Sequence, residues 1–449
     1  MLAVKWALFV VAVAGAFPAA KWLRPRPALR LKLWTLFGLL PFLPPYLIAL
    51  YTPGAAPSDT HGVEVALIDW VALTLFLAAK PAGRPAPYRL ALALYYAVVL
   101  LSFAQARWPP YVIAYTWKLS RMVLVLLAVW RAGNEDERVV PAVLRGLLFG
   151  TLYEGALATW QHFGEGQLRA SGTFSGWNSL GMVLNMLVMV PVARILAGPT
   201  SLLTKLAPLA AAAAALFSVS RGAMLFLGAG IALVWFASVW KEFTPRKAWF
   251  GLCGLALVAV AVPLAFSTLQ RRGEEERVES NLTRERLVDA AALMLEEHPL
   301  GVGASQYLPE LILGGYGRRA ELGWREWTSI VHNVYWLTAA ELGYAGVVAL
   351  IVLFLAPLRL AFRGPLRGPR GDVLLGLGVG LAIFAVHSCF EWVWRHTEVS
   401  YPWFMNIAMV AILAQRRGRA RRRADGAAPA RRVPVAARPG APVRQPAPS

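Results

Sequence analysis

The sequence predicts an all-α polytopic membrane protein, with about 12–13 transmembrane helices and one large external loop containing short helices. Three observations carry this. The chain is 57% hydrophobic and only 16% charged, with a mean hydropathy of +0.51, too apolar for a soluble chain of 449 residues. Apolar runs of about 18–22 residues recur, long enough to cross a hydrocarbon core of about 30 Å. Because backbone groups must be paired inside lipid, such runs are helical, and the ten-residue alternation of a membrane barrel is absent.

The spans are expected, in order, at 3–20, 32–51, 62–79, 89–105, 111–130, 140–161, 177–195, 202–219, 222–240, 248–267, 331–358, 373–393 and 401–415. The first is the weakest and the last is short, so twelve spans remain an alternative to thirteen. The first run has only Lys5 before it and leads into further spans, so it is expected to stay as a span and not to act as a cleaved signal. Four regions follow: N-terminal helices at 1–266, an Arg-rich loop at 267–330, C-terminal helices at 331–415 and a disordered basic tail at 416–449. Cys253 and Cys389 both fall inside spans and imply no disulfide framework.

Lysine and arginine gather in alternate loops. One set carries Lys21, Arg24, Arg26 and Arg30, then Lys80 and Arg84, then Lys241, Arg246 and Lys247, then Arg359, Arg363, Arg367 and Arg370. The opposite set includes Tyr51 to His61 with none, and Ala106 to Pro110 with Arg107 alone. The positive-inside rule puts the first set and the tail in the cytoplasm and the 267–330 loop outside. The net charge of +20 therefore does not call for nucleic acid: the tail from Arg416, with ten arginines and one aspartate, supplies +9 of it. Its composition suits attraction to anionic lipid headgroups.

The external loop holds eight arginines and no lysine: Arg271, Arg272, Arg277, Arg284, Arg286, Arg318, Arg319 and Arg325. Its first part, with Glu274, Glu275, Glu276 and Glu279, reads as solvated. From Thr283 to Glu297 the spacing of Leu287, Ala290, Ala291, Met294 and Leu295 predicts an amphipathic helix, ended by Pro299 and Gly301. Arg284 then falls in the first turn, where a cation opposes the macrodipole, so helix stability does not account for it.

Several residues at this face suit chemistry. Arg221, in Ser220-Arg221-Gly222-Ala223, is either an interfacial anchor or, with Arg284, a fork-shaped pair for phosphate oxygens. The small residues beside it predict close backbone packing. His332, at the mouth of the eleventh span, is either structural or a group that takes a hydroxyl proton near neutral pH. Asn333 closes the helix end or orients a sugar, and Asn178 caps the seventh span or lines a sugar site. Lys118 and Arg121, three apart on the fifth span, are expected to form an internal ion pair with Glu154 of the sixth or to help hold a lipid pyrophosphate. His387 and Glu391, four apart, lack a third metal ligand and read as packing or hydrogen-bonding residues. No phosphate-binding Gly-rich loop, His-Glu-x-x-His or Asp-x-Asp is present.

Ser220 to Ala223, Arg284 to Gly303 with its Glu-His-Pro-Leu-Gly-Val-Gly ending, and His332-Asn333-x-Tyr335 followed by Glu341-x-Gly343 together resemble the bacterial O-antigen ligase and polymerase superfamily, over roughly residues 140–415. Two positions depart from its pattern: Val288 stands where the family often has tryptophan, and Gly176-Trp177-Asn178 where it has Asn-Pro-Asn. The resemblance implies an inverting, metal-independent membrane glycosyltransferase of the bacterial inner membrane, without a cofactor. Its donor is a glycan on undecaprenyl pyrophosphate, taken at the periplasmic face. A ligase passes the glycan to a sugar of the lipid A core; a polymerase passes it to another lipid-linked repeat. The resemblance maps pyrophosphate binding onto Arg221 and Arg284, with Arg286 near enough to replace the latter, and acceptor activation onto His332. Asn178, Asn333, Tyr335, Lys118 and Arg121 are further candidates for contacts to substrate. The competing class is a lipid-linked sugar transporter, which predicts internal repeats and broken helices at mid-membrane. A structural scaffold leaves Arg221, Arg284 and His332 without a common purpose.

Overall fold

The computed structural model describes residues 2–43, 47–52, 60, 62–270, 274–363, 366 and 368–426. Arg271, Arg272 and the tail from 427 onward lie outside the described residues. The chain is a multi-pass α-helical membrane protein. Its helices are α1 (Leu2–Leu23), α2 (Pro27–Leu39), α3 (Leu67–Ala78), α4 (Arg89–Leu101), α5 (Pro109–Glu135), α6 (Val139–Phe163), α7 (Trp177–Ala197), α8 (Leu202–Phe217), α9 (Arg221–Lys241) and α10 (Pro245–Gln270). The lobe carries α11 (Glu274–Glu297), α12 (Tyr307–Leu313) and α13 (Tyr316–Arg319), and the bundle closes with α14 (Val334–Phe362), α15 (Gly368–His387) and α16 (Thr397–Gly426). Among the described residues, α1, α5, α7, α9, α14 and α15 are the six helices long and apolar enough to cross a membrane by length and composition. Helices α3, α4 with the turn after it, and α8 are shorter apolar elements.

Three boundaries differ from those expected. The run 32–51 is not one helix: α2 stops at Leu39, a short 3₁₀ turn holds 40–42, and β1 (Leu47–Tyr51) pairs antiparallel with β2 (Val63–Ala66). Pro41, which lacks the N–H a helix needs, lies in that turn. The lobe helix begins at Glu274, not Thr283, which puts Arg284 in its interior and removes the dipole argument about it. Its buried side is the expected one: Leu287, Ala290, Ala291 and Met294 are fully enclosed, against Val302, Tyr307, Leu311 and Leu337. Finally, α16 runs past Arg416 to Gly426, so the disorder expected from Arg416 does not begin there.

Helix α7 is the enclosed centre, with 83% of its apolar stretch buried, whereas α1, at 17%, faces outward. Small residues set the approach of its neighbours. A side chain at Gly376 or Gly380 of α15 would strike the α7 backbone, and one at Gly181 of α7 would strike Ala223 of α9. The close packing expected beside Arg221 is therefore present.

The Pro-Leu-Gly-Val-Gly segment has a structural purpose. Helix α14 is broken at Gly343 (φ 65°), where the helical ladder cannot continue. The groups freed by the break are paired with that segment: Val302 N–H donates to Ala340 O (2.9 Å), Gly303 N–H to Glu341 O (2.9 Å) and Tyr344 N–H to Pro299 O (3.3 Å). Gly301 (φ 88°) comes so close that a Cβ would lie 2.3 Å from Glu341 O, and one on Gly343 would lie 2.2 Å from Pro299 O. Gly343→Ala is thus expected to combine left-handed strain of about 1–3 kcal/mol with a backbone clash, and to lower the thermal midpoint of the detergent-solubilised protein. An unchanged midpoint would show that the loop and the helix break are not interlocked.

One end of the bundle is a belt of ion pairs: Arg30–Glu135 (3.1 Å), Lys241–Asp372 (3.6 Å), Arg370–Glu137 (3.1 Å) and Arg416–Glu137 (3.1 Å). These bring together the basic loops that the sequence groups on one side. The starts of α7, α9, α14 and α16 and the end of α15 meet at the other end, under the lobe.

Candidate functional site

Glu391 is the centre of this end. It lies just past α15, in the loop to α16, with its side chain only 6% exposed. Three groups from three other elements converge on its carboxylate. Arg284 of α11 places Nη2 at 3.3 Å from Oε1, Asn178 of α7 donates Nδ2–H to the same oxygen at 2.7 Å, and His332, just before α14, places Nδ1 at 3.1 Å from Oε2. Burial opposes ionisation of Glu391, but the bond from His332 and the charges of His332, Arg284 and His387 prevail and hold its carboxyl below the usual carboxylate range. Arg284 and His332 are each about one-third exposed, at 37% and 31%, so they open outward while the carboxylate behind them is closed off.

Arg221 opens α9 and is exposed. The turn before it is built stiffly. Val219, a β-branched residue, sits at φ 51°, and Ser220 caps the helix by accepting from Ala223 N–H. The next residue, Gly222, meets the His387 ring, where a Cβ would come within 2.8 Å of Nε2. His387 in turn packs on Phe226, with centroids 4.4 Å apart. The start of α9 is thereby fixed against the end of α15, four residues before Glu391.

The other sequence candidates separate. Asn333 is a helix cap, its Oδ1 accepting from Tyr335 and Trp336 N–H, and the Tyr335 hydroxyl donates to Ala385 O at 2.8 Å. Asn178 is no cap: Gly176 occupies that position and the Asn178 amide goes to Glu391. Arg286 faces Glu321 at 3.9 Å instead of joining Arg284, as two positions along a helix point to different faces.

Lys118 and Arg121 do not reach the cluster, and Glu154 is not their partner. Arg121 is buried against Asp69 (2.7 Å), Glu64 (3.7 Å) and the Tyr401 hydroxyl (2.6 Å). Lys118 donates to the Arg395 carbonyl. Glu154 accepts from Thr173, through N–H at 3.0 Å and the hydroxyl at 2.5 Å. Asp69 reaches Arg121 from α3, and the strand β2 that leads into α3 brings Glu64, so the internal pairing expected of the fifth span exists with different acids.

Further contacts escape sequence reasoning. Ser175 and Ser179 each lie 3.0 Å from His396 Nδ1, and Ser175 also donates to Glu398 at 2.6 Å. Burial acts against ionisation of Glu398 too, yet His396 and Ser175 hold its carboxyl down at about 2. With Asn178–Glu391 they pin the start of α7, and Ser175 just before it, to the loop before α16 and that helix's first turn. Arg169 stacks over Trp177 of the same segment at 3.7 Å. Glu391 was legible only as a neighbour of His387. Its real partners are 59, 107 and 213 residues away. Among the described residues, no group of three or more His, Cys, Asp or Glu is placed to hold a metal ion.

Residues 206–351 match the family model described as O-antigen ligase. The matched stretch runs from α8 through the lobe into α14 and includes Arg221, Arg284, His332 and the interlocked Gly301 and Gly343, but neither Asn178 nor Glu391. No curated protein matches the chain.

Proposed function

We propose that the chain, whose residues 206–351 match the O-antigen ligase family model, is an enzyme of the ligase and polymerase type acting on lipid-linked glycans, and specifically a metal-independent inverting glycosyltransferase using a glycan on undecaprenyl pyrophosphate. The observation that carries this reading is the convergence of Arg284 and His332 on one buried carboxylate, beside the fixed start of α9 that bears Arg221. Arg221 and Arg284 bind the pyrophosphate. His332 takes the proton of the acceptor hydroxyl as its oxygen attacks the anomeric carbon from the face opposite the leaving group. The bond to the phosphate breaks, and its electron pair leaves with the pyrophosphate. The guanidinium groups act most strongly at that moment, when charge builds on the departing oxygen. Arg286, engaged with Glu321, is the lesser candidate beside Arg284.

A site on the periplasmic side of a bacterial inner membrane is supported by the positive-inside rule, since the basic loops and α16's far end lie at the opposite end of the bundle. The acceptor is a sugar of the lipid A core; the alternative, a polymerase joining lipid-linked repeats, shares the donor and the same groups.

The test is a host deletion complemented with wild type, Arg221→Ala or Arg284→Ala, with surface glycan resolved on gels. Each substitution is expected to lower transfer about a hundredfold or more, the loss of about 3 kcal/mol of transition-state contact. Loss of the whole lipid A-linked ladder identifies a ligase, and single repeats still on lipid A identify a polymerase. Full transfer by both variants would reject the site, and an unchanged profile in the deletion strain itself would reject both enzymes.

A further inference from the structure

We infer that Glu391 is a positioning residue for the transfer reaction, holding His332 so that Nε2 carries the lone pair facing the acceptor hydroxyl. This rests on the glycosyltransferase reading above. An ionised carboxylate only accepts hydrogen bonds, so the proton in the contact between His332 Nδ1 and Glu391 Oε2 (3.1 Å) belongs to the imidazole. In the neutral ring the other nitrogen is then unprotonated and able to take a proton. The neighbouring hydrogen bond thus selects which nitrogen reacts, as the aspartate behind the histidine of a Ser-His-Asp triad does.

Proton and electron accounting agrees with this division of roles. The hydroxyl oxygen bonds to the anomeric carbon, the carbon–phosphate oxygen bond breaks, and the hydroxyl proton ends on His332 Nε2. Glu391 receives no proton. Its negative charge faces the imidazolium that forms, and its other oxygen, Oε1, keeps Arg284 and Asn178 in register with the ring. Position supports the role as well. The carboxylate is 6% exposed, while the ring and the guanidinium it holds are about one-third exposed. A contact serving stability alone gains nothing from leaving both the ring and the guanidinium open to solvent. The carboxylate is itself anchored, since the loop that bears it is tied down by Arg395–Glu341 (2.7 Å) and by His396.

The experiment is a kinetic double-mutant cycle on the full-length, detergent-solubilised protein with a lipid-linked glycan donor. Glu391→Gln is expected to lower kcat about 10–100-fold, with donor KM changed far less. In a His332→Ala background the same substitution is expected to cost less than about threefold, because a residue acting through the ring has nothing left to act on. Glu391→Asp, which keeps the charge on a shorter arm, is expected to fall between Glu391→Gln and wild type, and it serves as the second variant if the glutamine form does not fold. Wild-type kcat in Glu391→Gln, or an equal loss with and without His332, would overturn the inference while leaving the function standing. Wild-type transfer by His332→Ala alone would instead remove the base assignment, and Glu391's role with it.

Discussion

His332→Ala is expected to lower kcat by about two to four orders of magnitude, the usual contribution of a positioned general base. Donor KM should stay within a few-fold, because the proposed assignment gives the pyrophosphate to Arg221 and Arg284 and the acceptor to the ring. Folding should survive: the side chain is 31% exposed, and its hydrogen-bond partner Glu391 keeps Arg284 and Asn178. Initial rates at saturating donor and acceptor measure the effect. His332→Gln sharpens the result, since an amide can hold a hydroxyl in place but takes up no proton near neutral pH. If the glutamine variant stays as slow as alanine, proton transfer is the essential role; a return to near wild-type rate would reduce the ring to an orienting group. Wild-type kcat in His332→Ala would sink the assignment.

The sequence made the bundle and half of the site legible, for different reasons. Spans follow from composition, because a lipid-crossing helix must be apolar along its whole length, whatever it packs against. The grouping of basic loops follows from their alternation, and the structure collects Arg30, Lys241, Arg370 and Arg416 at one end. The buried stripe of α11 was legible from its period, but its start was not, as the segment from Glu274 has no apolar stripe to read. Arg221, Arg284 and His332 stood out as cationic or titratable groups that the span pattern gathers on one external face, suited to phosphate oxygens and to a hydroxyl proton. Glu391 has the same chemistry but sat at the end of an apolar run, one turn from His387, and its partners are brought to it only by tertiary packing. Asn178 shows the same limit: a helix-start asparagine reads as a cap, and only the fold reveals that its amide is committed elsewhere. With Lys118 and Arg121 the spacing allowed either an internal ion pair or a phosphate grip. In the fold, Arg121 is engaged by Asp69, Glu64 and Tyr401.

Arg395→Met is expected to be the most destabilising single change, by about 3–5 kcal/mol, the cost of leaving a buried charge without its partner. Arg395 and Glu341 are each 1% exposed and 2.7 Å apart, and the guanidinium also stacks over Tyr115 at 4.0 Å. The pair joins three parts of the molecule. Glu341 lies two residues before the Gly343 break and accepts from Tyr307 N–H of the lobe at 3.2 Å, while Arg395 belongs to the loop that carries Glu391 and His396. Removing the cation therefore strands a carboxylate where lobe, broken helix and site loop meet. Thermal unfolding in detergent measures the loss. The double variant Arg395→Met, Glu341→Gln separates mechanism from mere disruption: with no charge left to strand, it is expected to recover a large part of the stability. Activity should not recover in parallel, because the loop holding Glu391 still lacks its anchor. A double variant as unstable as the single one would show that the packing of Arg395 against Tyr115, and not its charge, holds the loop.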